Sequence, residues 1–428
     1  MIDWIKRTLK KMGPGFITGA ADDDPAGIAT YTQAGVTLGY NGLWSALFSI
    51  PFMVVVQEMC GRIGIVTGRG LAANMSKKFP KIVVLGLVGL LFAANTLNLG
   101  ADIGMMAASV QLVLPLPFPL LVVALTLICV SLQIFASYEA YAKYLKWLTV
   151  SLIAYIGVAF AVSDIDWGQA LKGTFLPSGI LEKDFLMMLV AVLGTSISPY
   201  LFFWQTSQEV EEQNKKTCRA ILHPQLKPVS KKNILSRLQF MRQDVGLGMV
   251  FSNVVAWFIV LLAASTLRGQ GFTTITSAAQ IAAALEPLAG KFTSLVFALA
   301  TLGTGLLTVP ILSASAAYAI CEVLDIPEGL SKKWYQAQAF YGLIIVSTLL
   351  GLLGNFVGFN PVRALIYSAI VNAIVAPFIL VAVVLVAGDK KLMGPHASNL
   401  KIKTAGWITV GLMTGAPLLW AYASWRGW

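Results

Sequence analysis

Three adjacent carboxylates, Asp22, Asp23 and Asp24, stand in the stretch GAADDDPAGIATYTQAG, which otherwise reads as a membrane helix, and Pro25 and Gly27 break that helix directly after them. Each aspartate at mid-membrane costs roughly 2.5–3.5 kcal/mol on the insertion scale. No basic residue lies in a nearby membrane segment to pair with them, so a bound cation, water or protonation must compensate. The break also frees backbone carbonyls at the negative, C-terminal end of the first half-helix, where Ala21 is the expected donor. Carboxylate, carbonyl and hydroxyl oxygens together suit a hard cation. Consecutive helical residues point about 100° apart, so the three acids cannot share one target. Asp24, at the break itself, is the expected direct ligand. Asp23 is expected to line the vestibule or support the ligand shell, with direct coordination the lesser alternative. Asp22 stays open between a pathway role and a structural one.

A second break answers the first. About 174 residues later, GTSISPY, Gly194 to Tyr200, interrupts another apolar segment, and its expected carbonyl donor is Thr195. Paired Gly/Pro-broken helices in matching positions of two halves point to a transporter's binding site. The hydrophobic pattern predicts eleven helices, at about 12–38 (broken), 42–61, 83–113, 117–136, 141–163, 184–214 (broken), 244–266, 292–320, 334–354, 361–387 and 404–424. Each break opens a block of five, and an odd block length inverts the second block in the membrane. The expected architecture is an all-α polytopic membrane protein with one transporter domain: a first repeat over 12–163, an inverted second repeat over 184–388, and an extra helix at 404–424. On the third helix, Asn95, Asn98 and Asp102 share a face. Interhelical hydrogen bonding accounts for the two asparagines, and Asp102 reads as a pathway residue. Tyr200 and Gln205 (with Gln208) follow the second break, placed to line the ion path or to pack.

Of the 428 residues 57% are hydrophobic and 12% charged, about half the charged share of soluble domains, which excludes an ordinary soluble protein. The net charge of +11 concentrates in the N-terminal leader (Lys6, Arg7, Lys10, Lys11) and in one connector, roughly 212–243. That is the positive-inside pattern, not a nucleic-acid footprint. It predicts a multi-pass protein of the plasma or inner membrane, with the N-terminus cytoplasmic, the C-terminus extracytoplasmic and a bilayer as its surroundings. A monomer is expected. The four cysteines are isolated and suggest no disulfide framework or metal site. Residues 275–290 read as a short amphipathic helix on the outer side. The two histidines, His223 and His396, fall in predicted cytoplasmic loops, and no hydrolase or nucleotide-binding motif occurs, so an enzyme is not expected and no cofactor is implied.

At these residues the chain resembles the natural resistance-associated macrophage protein (Nramp) family of divalent-metal transporters. DDDPAGIAT is similar to that family's DPGN break. GRIGIVTGRGLA, Gly61 to Ala72, closely resembles its loop after the second helix and is the most specific match. SISPY stands at its MPH break, and NAIVAPF, Asn372 to Phe378, resembles its tenth helix. The resemblance runs over the first ten helices and implies the leucine-transporter (APC superfamily) fold with alternating access around a central metal. The family's metal-binding Asp falls on Asp24, its Asn on Gly27, its Met on Ser198 and its tenth-helix Gln on Ala369, with Asn372 about one turn away. The His after the Pro is Tyr200. Loss of the thioether and of two bulky ligands resembles the Nramp-related magnesium transporter branch, which implies Mg²⁺ and Mn²⁺ transport without proton coupling. The alternatives are a proton-coupled Mn²⁺/Fe²⁺ Nramp transporter and a sodium-coupled carrier of organic solutes on the same fold.

Overall fold

The computed structural model describes residues 13–136, 152–162, 165–176, 178, 182–222 and 234–426. The basic leader, most of the fifth predicted helix and the middle of the basic connector with His223 lie outside them. The first half contains α1 (Pro14–Asp22), α2 (Pro25–Leu38), α3 (Leu43–Thr67), the short α4 (Leu71–Ser76), α5 (Lys81–Gln111), α6 (Phe118–Phe135), α7 (Ile153–Ala161) and α8 (Trp167–Phe175). The second half contains α9 (Lys183–Ser196), α10 (Pro199–Leu222), α11 (Ile234–Leu262), the short α12 (Ala278–Ala283) and α13 (Glu286–Ala289), α14 (Thr293–Leu324), α15 (Gln338–Gly354), α16 (Pro361–Ala387), the short α17 (Lys390–Met393) and α18 (Leu400–Arg426). No strand occurs among the described residues.

Both predicted breaks are present, between α1 and α2 and between α9 and α10. Their packing repeats across the two halves. The first broken helix sets α1 on α11, the helix that follows the second break, and the second sets α10 on α3, the helix that follows the first. α2 and α9 meet each other, and α5, α14 and α16 pack around them. Within an apolar window of 18 residues, Lys183–Asn214 is 89% buried, against 33% for Phe118–Phe135, so the broken helix is central and α6 peripheral. Exposed Ile82, Leu127, Phe135 and Phe160 form part of the apolar exterior that a bilayer would cover.

Close approach of α1 and α11 depends on glycine. A Cβ on Gly19 would lie 2.3 Å from the Gly248 carbonyl carbon, so no side chain fits between the two backbones.

Several boundaries differ from the sequence expectation. α3 continues to Thr67, so Gly61–Thr67 of the GRIGIVTGRGLA motif is helix; the turn is only Gly68–Gly70, opened by Gly68 in the left-handed region (φ 64°). α11 begins at Ile234, ten residues before the predicted start, because Leu238 and Met241 bury an apolar face inside a charged stretch. The predicted amphipathic helix at 275–290 is two short helices, α12 and α13, separated at Ala284–Leu285 before Pro287.

Candidate metal-ion site

Asp24 builds the first break. Its Oδ1 accepts the Gly27 amide at 2.6 Å and caps α2, and Pro25 occupies the first turn, where its missing N–H is no loss. Gly27 is set by space: a Cβ there would stand 3.0 Å from the Asp22 carbonyl oxygen and 3.4 Å from Asp24 Oδ1. The free carboxylate oxygen, Oδ2, faces Asn98 Nδ2 at 3.3 Å and the Tyr200 hydroxyl at 3.4 Å. Both are long for hydrogen bonds to a charged oxygen, which run about 2.5–2.9 Å.

Asn98 ties this oxygen to a second acid. Its amide also reaches Asp102 Oδ2 at 3.4 Å, while its Oδ1 accepts the Ser368 hydroxyl at 2.7 Å. Asp102 Oδ1 has no hydrogen-bond partner. The Tyr200 hydroxyl has one proton and two acceptors, Asp24 Oδ2 and the Ala21 carbonyl at 3.1 Å. The Ala21 carbonyl also receives Thr308 Oγ1 at 3.4 Å. Four helices besides α1 and α2 therefore converge on the break: α5, α10, α14 and α16.

At the second break, Ser198 folds its hydroxyl back onto the last turn of α9, donating to the carbonyls of Gly194 (2.8 Å) and Thr195 (2.7 Å). Ser196 Oγ lies 2.9 Å from Tyr31 OH, a link between the two broken helices. Ala369 offers backbone rather than side chain: its carbonyl oxygen would lie 1.9 Å from a Cβ on Gly194. Asn372, one turn beyond Ser368 on α16, is buried with Oδ1 unpartnered, and no hydrogen bond joins it to Asp24.

The remaining acids and Gln205 sit elsewhere. Asp22 Oδ2 and Asp23 Oδ1 both face Ser252 Oγ on α11, at 2.9 and 3.1 Å. Gln205 accepts the Thr18 hydroxyl at 2.6 Å and donates to Glu209 at 3.1 Å, tying α1 to α10 instead of facing Asp24. Asp22, Asp23 and Asp102 are fully buried and Asp24 is 3% exposed, so the group is shut off from the surface. Gln33, on α2, donates to Thr37 at 2.6 Å and accepts the Ile275 amide at 2.8 Å.

Asp24, Ala21, Tyr200 and Asp102 thus come together, with Thr195, Ser198 and Gly27 in the two breaks. Asn98 is brought to Asp24 as well, although hydrogen bonding between helices accounts for it in the sequence. Ser368, Thr308 and Ser252 leave no trace there, because a hydroxyl in an apolar helix more often bonds its own preceding turn.

Nearly the whole chain matches known proteins in both sequence and fold. Residues 15–422 match the Natural resistance-associated macrophage protein-like family. The chain belongs to the Nramp family. Among curated relatives of this Nramp chain, the divalent metal cation transporter MntH of Xanthomonas campestris is 24% identical over 98% of this chain and 92% of its own. MntH of Caldanaerobacter subterraneus is 26% identical over 92% and 88%. Among solved structures, the Eremococcus coleocola manganese transporter superimposes with a TM-score of 0.75 at 17% identity, covering 98% of this chain and 87% of its own. Mhp1, a nucleobase-cation-symport-1 family transporter in a closed conformation, gives 0.60 at 13% identity, covering 96% and 93%. The fold is that of the leucine transporter, as the resemblance to the family implies.

Proposed function

We propose that this chain carries divalent metal ions across the membrane by alternating access at the Asp24 break, with Mg²⁺ the preferred ion, Mn²⁺ also accepted and no proton coupled to either. The full-length relatives named as divalent metal cation transporters support the substrate class. The observation that carries the ion preference is the setting of Asp24 Oδ2. Its neighbours are an amide and a phenol, both at long range, and the nearby acceptors are carbonyl and carboxylate oxygens. Mg²⁺ demands octahedral oxygen ligands and dehydrates reluctantly, so a loosely held carboxylate in an oxygen-lined site suits an ion that keeps several waters. Asp24 supplies the charge. The carbonyls of Ala21 and Thr195, with Asp102 and Asn372, supply further oxygens once Tyr200, Thr308 and Ser198 release the groups they hold. Among the described residues no sulfur side chain bonds Asp24 to favour a soft metal.

The N-terminus is cytoplasmic in this reading, the C-terminus faces out, and the monomer in the cell membrane is the transporting unit. The Asp24–Asn98–Asp102 chain favours one competing reading, a proton-coupled Mn²⁺ carrier, because a second acid adjoins the first. Uptake into proteoliposomes tests the site. Asp24→Ala should abolish Mn²⁺ and Mg²⁺ entry, by roughly a hundredfold or more, while the purified protein keeps its melting temperature and monodispersity. Uptake near the wild-type rate in a well-folded Asp24→Ala protein would overturn the assignment.

A further inference from the structure

Several cations near the helix ends face acids. Arg62 and Arg242 hold Glu58, Arg237 lies in the field of Glu209 and Glu212, and Lys332 in that of Glu328. One basic patch has no such match. Lys77, Lys78 and Lys81 flank the turn from α4 into α5. Lys390, Lys391, Lys401 and Lys403 lie on α17 and the first turn of α18. The fold brings the two stretches together: Lys78 pairs with Asp389, 311 residues away in the chain, at 2.5 Å. Lys403 lies against the end of α16, where a Cβ on Gly388 would stand 2.9 Å from its Cε. Residues 77–81 and 388–403 contain seven lysines and a single acid, Asp389. That acid is already engaged, Oδ2 by Lys78 and Oδ1 by the Lys391 amide at 2.8 Å. The other six lysines have no acidic partner among the described residues.

The basic leader (Lys6, Arg7, Lys10, Lys11) and the connector (Lys227, Lys231, Lys232) carry the same sign, so they do not neutralise the patch. Its surroundings select the class of partner. Ile82, directly after Lys81, is 77% exposed, and Leu400, directly before Lys401, is 78% exposed. Val83 on α5 and Trp407 and Ile408 on α18 continue these apolar faces. Lysine stems lie along apolar surface while their ammonium groups reach the polar layer, and Trp favours the same boundary. A ligand that satisfies both features has a negative head and apolar chains. A soluble polyanion would use the lysines and leave Ile82 and Leu400 unmatched.

We infer that this patch binds an anionic phospholipid, its phosphate among Lys77, Lys81, Lys391 and Lys401 and its acyl chains along the exposed faces of α5 and α18. In the orientation proposed above, on which the choice of leaflet rests, the patch meets the negatively charged cytoplasmic leaflet. The lipid joins the α4–α5 turn to α17 and α18, as the Lys78–Asp389 pair does, and fastens the turn after α3 to the end of α16.

Native mass spectrometry of the full-length, delipidated protein tests this, with dioleoyl phosphatidylglycerol and dioleoyl phosphatidylcholine added in parallel. Wild type should prefer phosphatidylglycerol by about tenfold or more, and its melting temperature should rise with that lipid alone. Lys77→Gln, Lys81→Gln, Lys391→Gln and Lys401→Gln together change only exposed side chains, and should reduce the preference to about twofold or less. Lys172→Gln, Lys291→Gln, Lys332→Gln and Lys333→Gln together remove the same charge elsewhere and should keep it. A preference unchanged in the first variant, or lost equally in both, would overturn the patch. Glycerol phosphate, a head without chains, should leave the melting temperature unmoved; a rise equal to that from phosphatidylglycerol would mean a soluble anion and overturn the lipid. These measurements are made in detergent without metal or transport, so their failure leaves the Asp24 assignment standing.

Discussion

In the proposed site, Ser198 is the residue on which the treatment of soft metals turns. Its hydroxyl holds the Thr195 carbonyl at 2.7 Å, so the residue both lacks sulfur and engages an oxygen that could serve as ligand. Ser198→Met should therefore do two things at once, supplying a thioether and releasing the Thr195 carbonyl. Cd²⁺ binding should rise about tenfold or more relative to Mg²⁺, read by competition in calorimetry. An unchanged Cd²⁺/Mg²⁺ ratio would show that residue 198 does not reach the ion. Gly27→Asn is the harder half of that experiment, since its Cβ lies 3.0 Å from a backbone oxygen and the chain must give by a few tenths of an ångström. A different residue carries a pH dependence. Glu328, in the loop between α14 and α15, has its carboxyl pushed up to about 9 by burial and then by Glu322, with Glu211 and Asp325 adding to the rise and Lys332 opposing it. Between the ordinary value of 4.5 and 9 the folded chain holds a proton that the unfolded chain has lost, so this group makes stability fall as pH rises through that window. Melting temperatures at pH 6 and pH 9 should differ less for Glu328→Gln than for wild type. Equal pH differences would remove Glu328 from the account.

At the scale of elements, α1 is nine residues long and tied at its start and at its middle. At its start Asp244 on α11 accepts the amides of Gly13 (2.8 Å), Gly15 (2.8 Å) and Phe16 (3.2 Å), so a carboxylate sits on the positive end of the half-helix. Further along, Thr18 donates to Gln205. Capping by a charged oxygen contributes about 1–2 kcal/mol, a factor of roughly 5–30 in an opening equilibrium. Asp244→Ala should raise hydrogen–deuterium exchange across α1 by about that factor while leaving α16 unchanged; a uniform rise in both would mean global destabilisation instead. The elements also show what the sequence can disclose. The two breaks are legible because Pro, Gly and acid interrupt apolar runs, and that local signal needs no knowledge of contacts. The first turns of α11 are not, since Arg237 and Arg242 mask the buried face of Leu238 and Met241. The same limit applies inside the site. Asp24 announces itself by its cost in the membrane, whereas Ser252, Thr308 and Ser368 reach the site only through partners at least 229 residues distant in the chain. The tie between Gln205 and Thr18 is hidden for the same reason, since the two residues come from different halves of the molecule.

The whole molecule determines whether a proton must accompany the metal. A coupled carrier needs a titratable relay from the site to one side of the membrane. Here Asp102 is joined to Asp24 through Asn98, and the hydrogen bonds run on to the Ser368 and Tyr200 hydroxyls, with no further carboxyl or basic side chain in that chain among the described residues. α15 contains no Lys, Arg or His, and Tyr200 stands after the Pro of the second break. The conspicuous ion pairs lie elsewhere: Arg62 and Arg242 both hold Glu58, and Lys78 holds Asp389 at 2.5 Å, all at the end where α3 turns into α4 or α16 into α18. Nor is a proton required energetically. Two charges moving down 100 mV gain about 4.6 kcal/mol, which is more than a thousandfold in concentration ratio. Proteoliposomes with a pH-sensitive dye inside should therefore show Mn²⁺ entry driven by an inside-negative potential with no internal acidification. The rate should change less than about twofold when the outside is moved from pH 7.5 to 6.5. Asp102→Asn should then keep Mn²⁺ uptake within about threefold of wild type, because the residue contributes an oxygen and not a proton. Acidification that rises in step with metal entry, and disappears in Asp102→Asn, would establish the coupled mechanism in its place.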